Sequence, residues 1–222
     1  MRRSRRARHA RVQVCAREGV VVVLPWRAGT KILPELLADW GEWMDAQAEK
    51  LGVRLGPQVR EYGTGSTLAI RGEPCLIEVR EAGRRRTSRV ERVGDTLVMH
   101  LVPRDVFATR PVLEKYLRQV ARTDLVARTA YWADRLGLHP QKVIVGERTT
   151  RWGSCSRRGT LSFCWRLILA PPHVIDAVVA HELCHLRHLN HGKGFYALLD
   201  KACPWHREAD AWLRTHHDEL NF

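Results

Sequence analysis

The amino-acid sequence predicts an α+β fold with a β-rich N-terminal part over residues 1–105 and a helix-rich C-terminal part over residues 106–222. Short β-branched segments bounded by turn residues dominate the first part, and longer apolar patterns of helical period dominate the second. No internal repeat or low-complexity linker interrupts the sequence. With 222 residues, the protein is long enough to bury a core of its own.

The N-terminal part is expected to contain several strands and one helix. Residues 16–19 suit the turn of a first hairpin, residues 52–65 form a glycine-containing loop, and the strongly charged residues 80–92 are expected to form an exposed hairpin tip. Apolar residues at helical spacing predict a helix from Leu33 to about Lys50. The expected strands are Arg11–Cys15, Val20–Leu24, Thr67–Ile70, Cys75–Val79 and Thr96–Val102.

The C-terminal part begins with a long predicted helix. Thr109 suits the position before its first turn, Pro111 suits that turn, and Gly137 is placed to end the helix. The later elements are expected to be strands at Lys142–Val145 and Thr160–Phe163, a buried helix that starts at Pro171 and Pro172, and short helices at Phe195–Ala202 and His206–His216.

The most informative stretch of the chain is residues 181–185, which read HELCH. Residues four apart lie on the same face of a helix, so His181 and His185 can hold one metal ion from one side. Glu182 follows the first ligand, where its carboxylate can reach a water bound to that metal. This HExxH pattern is typical of zinc hydrolases, in which the Glu is the general base. An apolar stripe over residues 174–179 predicts that the helix is buried, and metal binding would explain its polar side chains.

A third metal ligand is expected beyond this helix. His188 lies on the same helical face as His181, but seven residues of helix advance about 10 Å, which is too far for one tetrahedral ion. The Asn-His-Gly segment at residues 190–192 is suited to end the helix, and a turn there would bring His191 back over the metal. We therefore predict His181, His185 and His191 as the ligands of one zinc ion, with His188 beside the site or facing the substrate.

Charge and cysteine content indicate the surroundings of the protein. The formal net charge of +13 attracts anions, so nucleic acid, nucleotides and acidic peptides are candidate partners, with a solvated basic surface as the alternative. Six scattered cysteines without a CxxC pair predict reduced thiols and a cytoplasmic protein. No apolar segment approaches the roughly 20 residues of a membrane span, and no apolar core follows the basic N-terminus, so neither membrane insertion nor export by a signal peptide is expected.

Three segments together resemble the YgjP-like metallopeptidase family: residues 150–156 (TRWGSCS), residues 165–172 (WRLILAPP) and residues 174–196, which include the HExxH run. The N-terminal segments RRSRRARHARVQV and VVVVLP are similar to the usual start of that family, so the likeness covers nearly the whole chain. It implies a zincin-like catalytic part, peptidase activity, the same three His ligands and Glu182 as the catalytic carboxylate. The HExxHxxxxxH spacing is also similar to that of SprT-like proteases. One departure is Cys164, where members often have Asn.

The leading functional prediction is a zinc-dependent peptidase. Zinc held by three imidazoles would leave a position for water, and Glu182 would take the proton of that water as it attacks a peptide carbonyl. Glu182 would then pass the proton to the leaving amine. Arg151, His188 and Tyr196 are candidates for contacts to the substrate or the transition state, because they lie close to the motifs in sequence.

Two other functions are open at this point. The same centre would suit hydrolysis of a nucleoside triphosphate, because the charge of +13 favours an anionic substrate and HExxH does not restrict the bond that is attacked. The chain would alternatively be a nucleic-acid-binding module with a structural zinc. Structural zinc sites rarely use three His and seldom keep a general base nearby, so this function is the least favoured.

Overall fold

The computed structural model describes residues 2–4, 7–15, 19–29, 33–50, 62–105, 109–148 and 150–220, and its class is α+β, as predicted. Contacts define two compact units, residues 1–59 and residues 60–222. Each unit has its own buried cluster of apolar side chains among the described residues. The sequence predicts a boundary between residues 105 and 106, which is not where these two units divide. That boundary stays a prediction.

The first unit contains a small sheet and two short helices. The sheet has the order β1-β3-β2, with β1 parallel and β2 antiparallel to β3. The β2–β3 hairpin confirms the prediction, although residues 16–18 of its turn lie outside the described residues. Val12 and Val22 are paired across the two strands and pack with Leu24 and Met44 in the core of this unit. The elements are β1 (Arg2–Ser4), β2 (Arg11–Cys15), β3 (Gly19–Pro25), α1 (Leu33–Asp39) and α2 (Gly41–Lys50).

The prediction of one helix over residues 33–50 is wrong. The two helices of the structure meet at Trp40, directly before Gly41. Glycine loses more backbone freedom in a helix than other residues do, so a helix interior is a costly place for it. Gly41 therefore explains why the apolar pattern is divided between α1 and α2. The loop predicted over residues 52–65 falls largely outside the described residues, which resume at Tyr62.

The second unit begins with a four-stranded sheet of order β4-β5-β7-β6. Its strands are β4 (Thr67–Ile70), β5 (Glu73–Glu81), β6 (Arg89–Val93) and β7 (Thr96–Leu101). Side chains at alternate positions fill one face and join the main core, because successive residues of a strand point to opposite faces. These core residues are Leu68, Ile70, Cys75, Ile77, Leu97 and Met99.

The prediction of a hairpin tip over residues 80–92 is wrong. Strands β5 and β7 pair in parallel, so β7 lies between β5 and β6. The tight turn of this region joins β6 to β7 instead, at Gly94, whose φ of 60° is a conformation that glycine adopts easily. The charged residues 82–88 form a longer connection from β5 to β6.

The described residues of the rest of the second unit contain a three-stranded sheet of order β8-β10-β9 and four α-helices. The long helix α3 spans Thr109–Leu136, as predicted. No described helix is long and apolar enough to cross a membrane. The other elements are β8 (Lys142–Gly146), β9 (Gly153–Cys155), β10 (Thr160–Cys164), a 3₁₀ helix (Trp165–Leu169), α4 (Pro172–Cys184), α5 (Lys193–Ala202) and α6 (His206–Thr215).

Helix α4 contacts α3, α5, α6 and β9, and most of its side chains are buried. A carboxylate fixes it further. Asp176 of α4 accepts hydrogen bonds from Arg128 Nη1 at 2.8 Å and from Trp132 Nε1 at 3.1 Å, both on α3. Because α4 is held on several sides, its C-terminal end is a rigid place from which to present side chains.

Helix α4 ends at Cys184, earlier than the end predicted at residues 190–192. The N–H groups of Leu186 and Arg187 donate to carbonyls three residues back, so a tighter turn follows the helix. The chain thus leaves the helix before His188. The helix-rise argument against His188 therefore does not apply, because α4 ends four residues before it.

Candidate metal centre

Three imidazoles converge where helix α4 ends. His181 lies in the last turn of α4, His185 is the first residue after it, and His191 belongs to the segment that leads into α5. Nε2 of His181 lies 3.2 Å from Nε2 of His185 and 3.0 Å from Nε2 of His191. One ligand atom from each residue lies within 4.8 Å of the other two. The three residues predicted as ligands are therefore brought together.

A buried aromatic ring supports all three imidazoles. The ring centroid of Phe195 lies 4.9 Å from that of His181, 4.7 Å from that of His185 and 4.6 Å from that of His191. Phe195 has no exposed surface and lies in the first turns of α5. It restricts where each imidazole can go, and the sequence motif did not mark it as part of the site.

Hydrogen bonding and burial favour the neutral form of two of these imidazoles, His185 and His181. Nδ1 of His185 donates to the carbonyl oxygen of His188 at 3.0 Å, so its Nε2 carries the lone pair and faces the other two rings. Burial and the neighbouring imidazoles lower the pKa of His181 to about 4, so this ring is neutral at neutral pH. Neutral imidazoles with lone pairs directed at one point are what a metal ion requires.

The donor set fits one zinc ion. A proton between two nitrogens can satisfy only one close contact, whereas a divalent cation can accept lone pairs from all three. Zn–N bonds of about 2.0–2.1 Å place tetrahedral ligand atoms roughly 3.4 Å apart. The Nε2 atoms are separated by 3.0 and 3.2 Å, so small outward shifts would reach that geometry.

Glu182 lies beside this cluster without a partner. The side chain is 6% exposed, and its Oε2 atom is buried with no hydrogen bond. Burial raises the pKa of Glu182 to about 7, although the positive charge of Arg151 opposes the shift. A carboxyl group whose pKa lies near neutrality can both accept and release a proton.

Strand β9 approaches Glu182 so closely that a side chain in place of Gly153 would meet the carboxylate. A Cβ atom added there would lie 2.6 Å from Oε1 of Glu182 and 2.7 Å from its Cγ. Real Cβ atoms do not approach other atoms so closely, so any other residue would displace the carboxylate or the strand. The RWGSC segment of the sequence thus contains a residue that sets the position of Glu182.

A cleft of about 150 Å³ is lined by residues of β9, α4 and α6. His206 lines it and is 6% exposed, with its Nε2 2.8 Å from Oδ1 of Asp200. The sequence did not mark this pair, because the two residues meet only through the turn between α5 and α6. The lining residues are Trp152, Gly153, Ala177, Val178, His181, Glu182, His206, Ala209, Asp210 and Leu213.

The three residues predicted to contact the substrate or the transition state lie in different positions relative to the imidazoles and Glu182. Arg151 is exposed, and its charge is felt by Glu182. The ring of Tyr196 is 42% exposed and lies 6.2 Å from the ring of His191. The ring of His188 lies against Gly194, and its backbone carbonyl, not its imidazole, contacts a predicted ligand. None of the three lines the cleft.

The profile of the YgjP-like metallopeptidase domain matches residues 8–216. The chain belongs to the YgjP-like metallopeptidase family. Membership confirms the resemblance seen in the sequence, and it implies a metal, typically zinc, and a protein or peptide substrate. No curated protein matches the chain closely enough to count as a relative.

Among solved structures, the YgjP-like chain is similar to the crystal structure of the metallopeptidase zymogen of Pyrococcus abyssi abylysin. The similarity covers 41% of this chain and 93% of that chain, with 18% sequence identity and a TM-score of 0.38. A likeness at this level carries no argument about mechanism.

Proposed function

We propose that this chain is a zinc-dependent peptidase in which His181, His185 and His191 hold one zinc ion and Glu182 is the general base. One observation carries the proposal. Three imidazole Nε2 atoms converge beside a buried carboxylate whose Oε2 has no hydrogen-bond partner. A buried, unpartnered polar atom is costly, and in a metallopeptidase family the reacting water is the partner that it lacks.

The chemistry divides between the metal and the chain. Zinc held by the three imidazoles would supply a Lewis acid and would lower the pKa of a water towards neutrality. Glu182 accepts a proton from the attacking water and gives it to the leaving amine. Its pKa of about 7 suits both steps, because neither proton transfer then has to proceed far uphill at neutral pH.

Strand β9 is suited to hold the substrate backbone. Within the described residues β9 pairs only with β10, so its outer edge has free backbone N–H and C=O groups. An extended peptide can add to such an edge as a further strand. Because Gly153 contacts Glu182, a peptide on this edge would have its carbonyls close to the general base.

Arg151 and Tyr196 are the candidates for stabilising the oxyanion. The Arg151 charge already acts on Glu182, and the Tyr196 ring lies beside His191 with nearly half of its surface free. His188 has a different proposed role, in which its carbonyl fixes the orientation of His185.

The competing nucleotide hydrolase is less well supported. The net charge of +13 attracts anions, but the cleft beside Glu182 is lined by two carboxylates and by neither Lys nor Arg. A triphosphate would meet repulsion there. Contact of the basic surface with nucleic acid stays a proposal. We also infer a cytoplasmic location, which the free cysteines of the described residues support.

Protein purified without a metal-affinity tag tests the proposal. Elemental analysis should find one zinc per chain, and casein or a peptide library should be hydrolysed. A chelator should abolish hydrolysis and added zinc should restore it. Nucleoside triphosphates, assayed in parallel with Zn²⁺, Mg²⁺ or Mn²⁺, should stay intact. If the wild type hydrolyses triphosphates but no peptide, and Glu182→Gln loses that activity, the centre belongs to a nucleotide hydrolase and not to a peptidase.

A further inference from the structure

The cleft beside Glu182 has one face made by a single side of helix α6. His206, Ala209, Asp210 and Leu213 follow the spacing of residues that share a helix face, and all four line the cleft. Ala177 and Val178 of α4 and Trp152 before β9 form the remaining apolar wall. The cleft thus borders the general base and extends along α6, an element that the proposed chemistry does not use.

The charged side chains of this cleft are acidic, whereas the net charge of the protein is positive. The chain has 37 Lys and Arg against 24 Asp and Glu, yet the side chains with formal charges that line the cleft are Glu182 and Asp210. Glu182 is committed to the proton transfer, which leaves Asp210 as the free carboxylate. Among the described residues no ion pair involves Asp210, and Arg207, one turn earlier, contacts Asp200 instead.

We propose that this cleft is a specificity pocket for a lysine or arginine side chain of the peptide substrate, with Asp210 as the counter-charge. The inference rests on the proposed peptidase function. Apolar walls of Ala177, Val178, Ala209 and Leu213 suit the methylene stem of such a side chain, and Asp210 meets its charged end.

The other features of the cleft agree with this occupant. The volume of about 150 Å³ is sufficient for one side chain. His206 is held by Asp200 through Nε2, so its imidazole is a fixed part of the wall. Arg151 acts on Glu182 but does not line the cleft, so its charge lies outside the pocket.

Matched peptides test the pocket. The peptides are made in pairs that differ at one position near the cleaved bond, where one member has Lys and the other has its uncharged counterpart norleucine. The position is varied on both sides of that bond. Mass spectrometry of the products identifies the cleaved bond and so the position at which Lys increases cleavage. The wild-type zinc protein should cleave the Lys peptide with a kcat/KM about tenfold higher, which corresponds to about 1.4 kcal/mol of discrimination. Asp210→Asn should bring the ratio close to one by lowering cleavage of the Lys peptide alone.

Glu208→Gln is the matched control, because Glu208 is an exposed carboxylate of the same helix and does not line the cleft. It should leave the Lys-to-norleucine ratio within about twofold of the wild-type value. Cleavage without a basic preference, or a preference that Asp210→Asn leaves intact, overturns the pocket and leaves the peptidase proposal standing.

Binding separates the two proposals if no peptide is cleaved. Absence of cleavage by the zinc-loaded wild type would contradict the peptidase proposal alone. Calorimetry with the Glu182→Gln protein then tests the pocket, and the Lys peptide should bind about tenfold more tightly than the norleucine peptide. Equal affinities, or a difference that persists when Asp210→Asn is added, overturn the pocket.

Discussion

Two glutamates of the second unit lie in environments that shift their carboxylate pKa values in opposite directions. Glu147, directly after β8, receives hydrogen bonds from the Trp165 indole, from Arg166 and from Arg118. Burial alone would raise the pKa of Glu147, but these hydrogen bonds and positive charges outweigh it and the pKa is lowered. Glu182 has a buried oxygen without a partner, and its pKa is raised to about 7.

The contrast separates a carboxylate that connects structural elements from one that we propose for proton transfer. Glu147 connects the end of β8 to α3 and to the 3₁₀ helix, where both guanidinium groups also lie 5.0 Å from the Trp165 ring. Every partner of Glu147 stabilises its charged form. Glu182 lacks such partners, and its environment keeps both protonation states accessible, which stabilises the fold less and suits proton transfer more.

Exchange of each glutamate for glutamine gives the largest expected effects on activity. Glu182→Gln should lower kcat by about 10²–10⁴-fold, because the amide cannot take a proton, while zinc stays bound. Glu147→Gln should leave kcat within about threefold of the wild-type value, since it lies away from the cleft. Steady-state kinetics and elemental analysis of both variants would measure this. Equal losses of kcat in the two variants would remove the distinction between the two carboxylates.

Zinc affinity should distinguish the proposed ligand His191 from His188, whose backbone carbonyl orients His185. His191→Ala removes one of three converging nitrogens and should weaken zinc binding more than a hundredfold. His188→Ala keeps the backbone carbonyl that accepts from His185, so its affinity should change by less than about tenfold. Competition with a chromogenic chelator measures both constants. The reverse order would move the third ligand to His188.

Stability should respond in the opposite way to activity. Glu147→Gln weakens the hydrogen bonds of two arginines and should lower the free energy of unfolding by about 1 kcal/mol, discounted because the carboxylate is partly exposed. Glu182→Gln, compared in metal-free protein, should leave that free energy unchanged or raise it, because it removes a poorly solvated carboxylate. Urea unfolding followed by tryptophan fluorescence provides both values, and a clear loss of stability in Glu182→Gln would count against this account.

The smallest effect is a pH dependence of stability. The pKa of Glu147 is lower in the folded protein than its usual value of 4.5. Its stabilisation is therefore fully present above the unfolded pKa and is lost as the pH falls through the folded value. The difference in stability between the wild type and Glu147→Gln should shrink over that acidic range. A difference that is constant from neutral pH downwards would show that the charge of Glu147 is not what stabilises the wild type.

The parts of the site that the sequence could predict are the local ones. His181, Glu182 and His185 follow from helical spacing, and the break after the helix brings His191 back, although the helix ends at Cys184 and not at residues 190–192. Phe195 could not be assigned to the site in advance, because an apolar residue at helical spacing looks like any core residue. The same limit applies to the pairing of β5 with β7, since strand order depends on contacts far apart in sequence.

Gly153 has a consequence for the gene that encodes this protein. Because a Cβ atom at this position would lie 2.6 Å from Oε1 of Glu182, missense changes of its codon should displace the proposed general base and lower activity, although Glu182 itself is unchanged. In a saturation library selected for activity, that codon should tolerate synonymous changes alone. The codon for exposed Arg151, two positions earlier, should accept more alternatives, unless Arg151 stabilises the oxyanion. The pattern of tolerated codons would thus report the contact between strand and general base in living cells.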